Sequence, residues 1–136
     1  MTPNSTRPLV ARPLSPHLTI WKWGPHMLVS ILHRVTGGAL TVAGLALMTA
    51  WLLAIASDAE TYARFTKLAM SPVGLIVLVG LTWAFYQHLF SGMRHLVMDM
   101  GAGYELKLNK LFAVLTIAAS LFATAVTWFA LLEVGR

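Results

Sequence analysis

LAMSPVGLIVLVGLTWAFYQHLFSGM, running from Leu68 to Met93, contains no Asp, Glu, Lys or Arg. It is longer than the roughly 20 residues that carry a helix across a hydrocarbon core. Ser71 ahead of Pro72 is a good helix start, a polar cap before a first-turn proline. Working outward, Val35 to Ser57 and Leu111 to Leu132 are equally free of charge. The pattern predicts an all-α membrane protein with three transmembrane helices over residues 28–57, 70–95 and 108–133. Residues 58–67, DAETYARFTK, form the first connection, and Gly101 and Gly103 break the chain before the third helix.

Composition agrees. With 57% hydrophobic and 11% charged residues in 136, the chain cannot cover its apolar surface with a polar shell, so lipid is its solvent. The segments between spans are shorter than the ~50 residues a soluble catalytic domain needs, which places any chemistry in or beside the membrane. The absence of cysteine excludes thiolate metal sites, disulfides and iron–sulfur clusters held by this chain. The net charge of +5 does not point to nucleic acid, because in a membrane chain the position of each cation matters more than the sum.

Arg7, Arg12, Lys22, Arg34, Arg94, Lys107 and Lys110 lie on one side of the spans; Arg64, Lys67 and Arg136 lie on the other. The positive-inside rule then places the N-terminus and the second connection in the cytoplasm. Residues 1–25 carry Pro3, Pro8, Pro13, Pro16 and Pro25, which rules out one continuous helix and suggests a cytoplasmic arm, with residues 26–136 as a single transmembrane domain. That stretch has neither the apolar run of a signal peptide nor the amphipathic pattern of a mitochondrial transit peptide, favouring a bacterial inner membrane over a mitochondrial one. Trp21 and Trp23 beside Lys22 read as an interfacial anchor.

Ser30, His33, Arg34, His88, Arg94, His95 and Asp99 sit within or at the edge of the spans. Ionisable groups there are costly and usually face a protein interior or a cofactor. The start of the first helix and the end of the second share the cytoplasmic side, so His33 and Arg34 come to the level of His88 to His95. His88, Ser91, Gly92 and His95 follow i, i+3, i+4, i+7 spacing and share one stripe. His88 is its deepest member, about 9 Å of helix rise from Arg94, which can reach the headgroups. Gly92 leaves backbone open to a flat group. A haem beside His88 would satisfy these features, with its propionates toward Arg34, Arg94, His33 or His95. A plain interhelical hydrogen bond from His88 is the competing reading. Ser30 and Arg34, one turn apart, could bond a quinone carbonyl.

Two further patterns bear on the choice. Arg12-Pro13-Leu14-Ser15-Pro16-His17-Leu18 followed by Ser30-Ile31-Leu32-His33-Arg34-Val35-Thr36-Gly37, and His88 followed by Gly92-Met93-Arg94-His95-Leu96, Asp99 and Gly101, resemble the motifs of the cytochrome b subunits of succinate dehydrogenase, the membrane anchors of respiratory complex II. The resemblance covers about the whole chain; Trp21, where relatives often have tyrosine, departs from it. It implies that His88 is an axial ligand of haem b, that a second membrane anchor subunit supplies the other ligand and packs with this chain into a helical bundle, and that His33, Arg34 and His95 lie on the propionate side. It implies that Ser30 and Arg34 line a site for ubiquinone or menaquinone, with further residues from the second anchor subunit and an iron–sulfur subunit, and that a flavoprotein subunit completes the complex. The chain would then be a non-catalytic electron-transfer subunit. A structural anchor without haem and the anchor of a fumarate reductase remain alternatives; the lack of a deep acidic residue speaks against a transporter.

Overall fold

The computed structural model describes residues 23–135. The arm expected over residues 1–25, with Arg7, Arg12, His17, Trp21 and Lys22, lies outside these up to residue 22, as does Arg136. Among the described residues every regular element is helical: α1 (Pro25–Ala39), a π-helical turn (Leu40–Gly44), α2 (Leu45–Ala56), α3 (Ala59–Ala69), α4 (Pro72–Asp99) and α5 (Leu106–Val134). Three helices are long and apolar enough to cross a membrane: Pro25–Ala56, formed by α1, the π turn and α2, then α4 and α5.

The helix ends follow local chemistry. Pro25 opens α1, where a missing N–H costs nothing. Ser71 caps α4, its hydroxyl accepting from the Gly74 amide at 3.1 Å. α4 then runs past the expected end at residue 95 to Asp99, since nothing before Gly101 interrupts it. Gly101 and Gly103 take φ of 84° and 78°, a region open to glycine, and reverse the chain into α5. The expected connection over residues 58–67 is itself a helix, α3. Asp58 caps it by accepting from the Thr61 amide at 2.8 Å, and the Arg64–Glu60 pair bridges one turn of its surface. Contact of the Asp58 carboxylate with the Thr61 amide and hydroxyl holds its pKa below the ordinary value.

α4 is the centre of the fold, packed most extensively on α5 and then on α1. The interior is inverted relative to a water-soluble protein. Buried apolar residues are few and mostly small (Val29, Ala54, Ala84, Ala113), whereas Thr36, Gln87, Ser91, Arg94, Thr116, Ser120 and Thr124 are buried and Ile76, Phe122 and Leu131 lie outside. In lipid there is no hydrophobic drive between helices, so small residues admit close approach and hydrogen bonds join the backbones' faces.

Candidate functional site

The first half of α1, the last turns of α4 and the start of α5 meet at one end of the bundle. There His88 donates from Nδ1 to the backbone carbonyl of His33 at 3.1 Å, with the Thr36 hydroxyl oxygen a longer second acceptor at 3.4 Å. The Thr36 proton is directed to the Leu32 carbonyl at 2.7 Å. A carbonyl only accepts, so the proton of a neutral His88 ring belongs on Nδ1, leaving the Nε2 lone pair available. No described residue bonds that nitrogen. An imidazole oriented through Nδ1–H to a backbone carbonyl is the arrangement that metal-ligating histidines use.

Close approach of the helices is what permits this bond. A Cβ placed on Gly37 would lie 2.9 Å from His88 Cε1, too close to tolerate. The small and polar residues along the first span do not all face inward. Gly37 faces His88, whereas a Cβ on Gly38 would meet nothing within 4 Å, and Arg34 and Thr41 are exposed. At Gly92 a Cβ would make only an ordinary contact, 3.8 Å to His33 Cε1. The ring over Gly92 is thus that of His33, and the glycine that decides the packing is Gly37.

His33 stacks on His88 with ring centroids 4.0 Å apart and an interplanar angle of 6°, and its other neighbour is His95 at 5.0 Å. Its Nδ1 is buried without a partner. Beside these rings opens a cavity of about 470 Å³ whose walls include Ser30 and Arg34 from α1, Arg94, His95 and Met98 from α4, and Asn109 from α5. The structure therefore brings Ser30, Arg34 and His95 to one cavity and His33 and His88 to the stack next to it. Among the described residues no three His, Asp or Glu side chains converge as a metal-ion cluster.

Arg94 differs from the sequence expectation of a headgroup contact. Because α4 continues to Asp99, Arg94 is buried (7% exposed) and turned toward α5, donating to Asn109 Oδ1 at 2.7 Å. The Asn109 amide in turn donates to the Gly103 carbonyl at 3.1 Å, fixing the turn between the two helices. Gln87 and Ser120 also escaped the sequence reading. They join α4 to α5 deep in the span, Ser120 Oγ to Gln87 Oε1 at 2.8 Å. A buried glutamine one residue from His88 was the available signal.

With this geometry in place, similarity to known proteins can be compared with it. A family model described as succinate dehydrogenase/fumarate reductase transmembrane subunit matches residues 8–127. The succinate dehydrogenase cytochrome b556 subunit of Paracoccus denitrificans is 42% identical over 96 residues, covering 71% of this chain and 73% of the relative. The cytochrome b556 subunit of Rickettsia felis is 35% identical over 117 residues, 86% of this chain and 90% of its own length. A human mitochondrial relative, the cytochrome b560 subunit, is 36% identical over 118 residues, or 81% and 68% of the two chains.

Proposed function

This chain belongs to the succinate dehydrogenase/fumarate reductase transmembrane subunit family, and from that premise we propose that it is the haem b-carrying membrane anchor of a bacterial succinate dehydrogenase, delivering electrons from succinate to quinone. The observation that carries the reading is the His88 Nδ1 bond to the His33 carbonyl, which presents Nε2 as a ready iron ligand.

The residues fit the group. Gly37 leaves the space that lets His88 seat against α1, and the buried Nδ1 of His33 is a polar atom that this chain leaves unsatisfied beside it. His88 would be the axial ligand; His33, Arg34 and His95 would face the propionates. Bound haem supplies a one-electron carrier whose potential the protein sets through ligand and surroundings. A second membrane subunit would supply the further histidine that holds the haem and would pack against the apolar surface this chain leaves open. The iron–sulfur subunit, itself fed by a flavoprotein subunit, docks at the cytoplasmic end, so dehydrogenation of succinate lies outside this chain.

Quinone enters the 470 Å³ cavity. There Ser30 donates its hydroxyl proton and Arg34 its guanidinium N–H to a carbonyl oxygen. Arginine's fixed charge favours negative charge growing on that oxygen as electrons arrive, in the way an oxyanion hole does. The lipid-facing apolar residues accommodate the tail.

A reduced-minus-oxidised optical spectrum of the purified complex should show b-type bands, and their absence would refute the haem assignment. In the same complex, Arg34→Ala should depress quinone reduction while electron transfer from succinate to a soluble dye continues. Equal loss of both would assign Arg34 to assembly instead.

A further inference from the structure

A quinone ring has two carbonyl oxygens on opposite edges, and the Ser30–Arg34 pair supplies donors for one of them. In an apolar slot the second oxygen also requires a donor. The polar side chains around the cavity narrow the choice. Asn109 is engaged by Arg94 and by the Gly103 carbonyl, and Arg94, turned toward α5, spends Nη2 on Asn109 and keeps its buried Nε unpartnered. His95 is drawn toward His33. Within this chain, the polar side chain left on the same α1 wall as Ser30 and Arg34 is His26, at the start of the helix.

His26, Ser30 and Arg34 fall at i, i+4 and i+8 on α1, one stripe whose members rise about 6 Å per step. That step is comparable to the distance between the two oxygens of a quinone ring. The His26 ring is placed rather than loose: a Cβ on Gly24 would lie 2.5 Å from its Cε1, so only glycine leaves room for the ring to fold back there. Its Nδ1 is buried without a partner, and no described residue bonds Nε2. A buried Nδ1 with no acceptor suits the unprotonated position of a neutral imidazole, which puts the proton on Nε2, the open nitrogen.

We propose that His26 is a quinone-binding residue whose Nε2–H donates a hydrogen bond to the carbonyl oxygen opposite the one held by Ser30 and Arg34. This rests on the cavity being the quinone site. The ligand class is a benzoquinone or naphthoquinone with an isoprenoid tail, held at both oxygens along one helix stripe.

The test uses the intact membrane complex with a short-chain ubiquinone. His26→Leu should raise the quinone KM about 5- to 10-fold, the effect of losing one neutral hydrogen bond, leaving kcat, dye reduction and the haem spectrum close to wild type. His26→Gln, which keeps an N–H donor, should return KM to within about twofold of wild type. An unchanged KM in His26→Leu overturns the assignment, and an equal rise in both variants overturns the donor role in favour of shape alone. Should His26→Leu fail to assemble, the wild-type complex labelled with ¹⁵N-histidine decides: the His26 Nε2 resonance should move when quinone is added, and a stationary resonance overturns the proposal. Ser30→Ala and Arg34→Ala run in parallel separate the two layers. If they raise KM and His26→Leu does not, His26 alone is wrong; if none of the three does, the cavity is not the quinone site.

Discussion

Toward α5, α4 presents Ala84, Gln87, Ser91 and Arg94; toward α1 it presents His88, Gly92 and His95. The first face is joined by side-chain pairs between α4 and α5, Gln87 to Ser120, Arg94 to Asn109, and Tyr86 to Thr127 at 2.8 Å, with Gln87 Nε2, Ser91 Oγ and Arg94 Nε buried without partners. The second is held by one bond from a side chain to a carbonyl and by stacked rings. It leaves His88 Nε2, His33 Nδ1 and the Arg34 guanidinium without partners among the described residues. Buried polar groups that a chain does not satisfy are where it expects something else. One helix thus carries a face paired side chain to side chain and, on the function proposed, a face that receives a cofactor and a substrate, and substitutions should separate the two.

The largest separation should come from Gly37→Val. A side chain there collides with His88 Cε1, pushes the ring off the His33 carbonyl and costs about 1–3 kcal/mol. Haem content of the purified complex should fall with it. Full haem occupancy and an unshifted spectrum would break the claim that close approach of α1 sets the ligand.

On the structural face the effects are on stability alone and should spare the spectrum. Arg94→Met removes the bond to Asn109 and should lower stability by about 1–3 kcal/mol, read as the midpoint of unfolding in detergent; loss of haem bands in an otherwise assembled complex would place Arg94 on the wrong face. Gln87→Leu should cost only about 0.6 kcal/mol, because Ser120 retains its bond to the Ile117 carbonyl at 2.8 Å. A loss several times larger would mean that Gln87 serves the histidine face instead.

The smallest effect lies outside both faces. Asp58 has its pKa lowered by the Thr61 contacts, so its contribution to α3 is fully present above the ordinary carboxylate pKa and is lost as pH falls through the lowered one. Hydrogen-exchange protection at Thr61, corrected for intrinsic rates, should decline in that acid window, while α4 and α5 are unaffected. Asp58→Asn should abolish the dependence.

How much of this the sequence revealed depended on the physics involved. The bilayer demands long charge-free helices, so the three spans could be read directly, whereas depth and stripe position made His88 only a candidate, and the resemblance to the family's motifs supplied the ligand role proposed for it. Side chains that pair across helices were not legible: nothing local to Asn109 or Ser120 says that Arg94 or Gln87 will meet it, and the end of α4 had to be known before Arg94 could be seen as buried. α3 was legible in principle. Asp58 three residues before Thr61, with Tyr62, Phe65, Thr66 and Ala69 at helical spacing, is a capped amphipathic helix. Its charges made it look like a connection. The π turn at Leu40–Gly44 left a fainter trace, in the glycines around it and in Thr41, whose hydroxyl donates to the Gly37 carbonyl at 2.9 Å.

The most direct test of the account exchanges two histidines on the receiving face. Reduced-minus-oxidised spectra of the purified complex should lose the b-type bands in His88→Ala, whose Nε2 is the proposed ligand, and retain a bis-histidine spectrum in His95→Ala. Retention in the first variant with loss in the second would contradict the assignment.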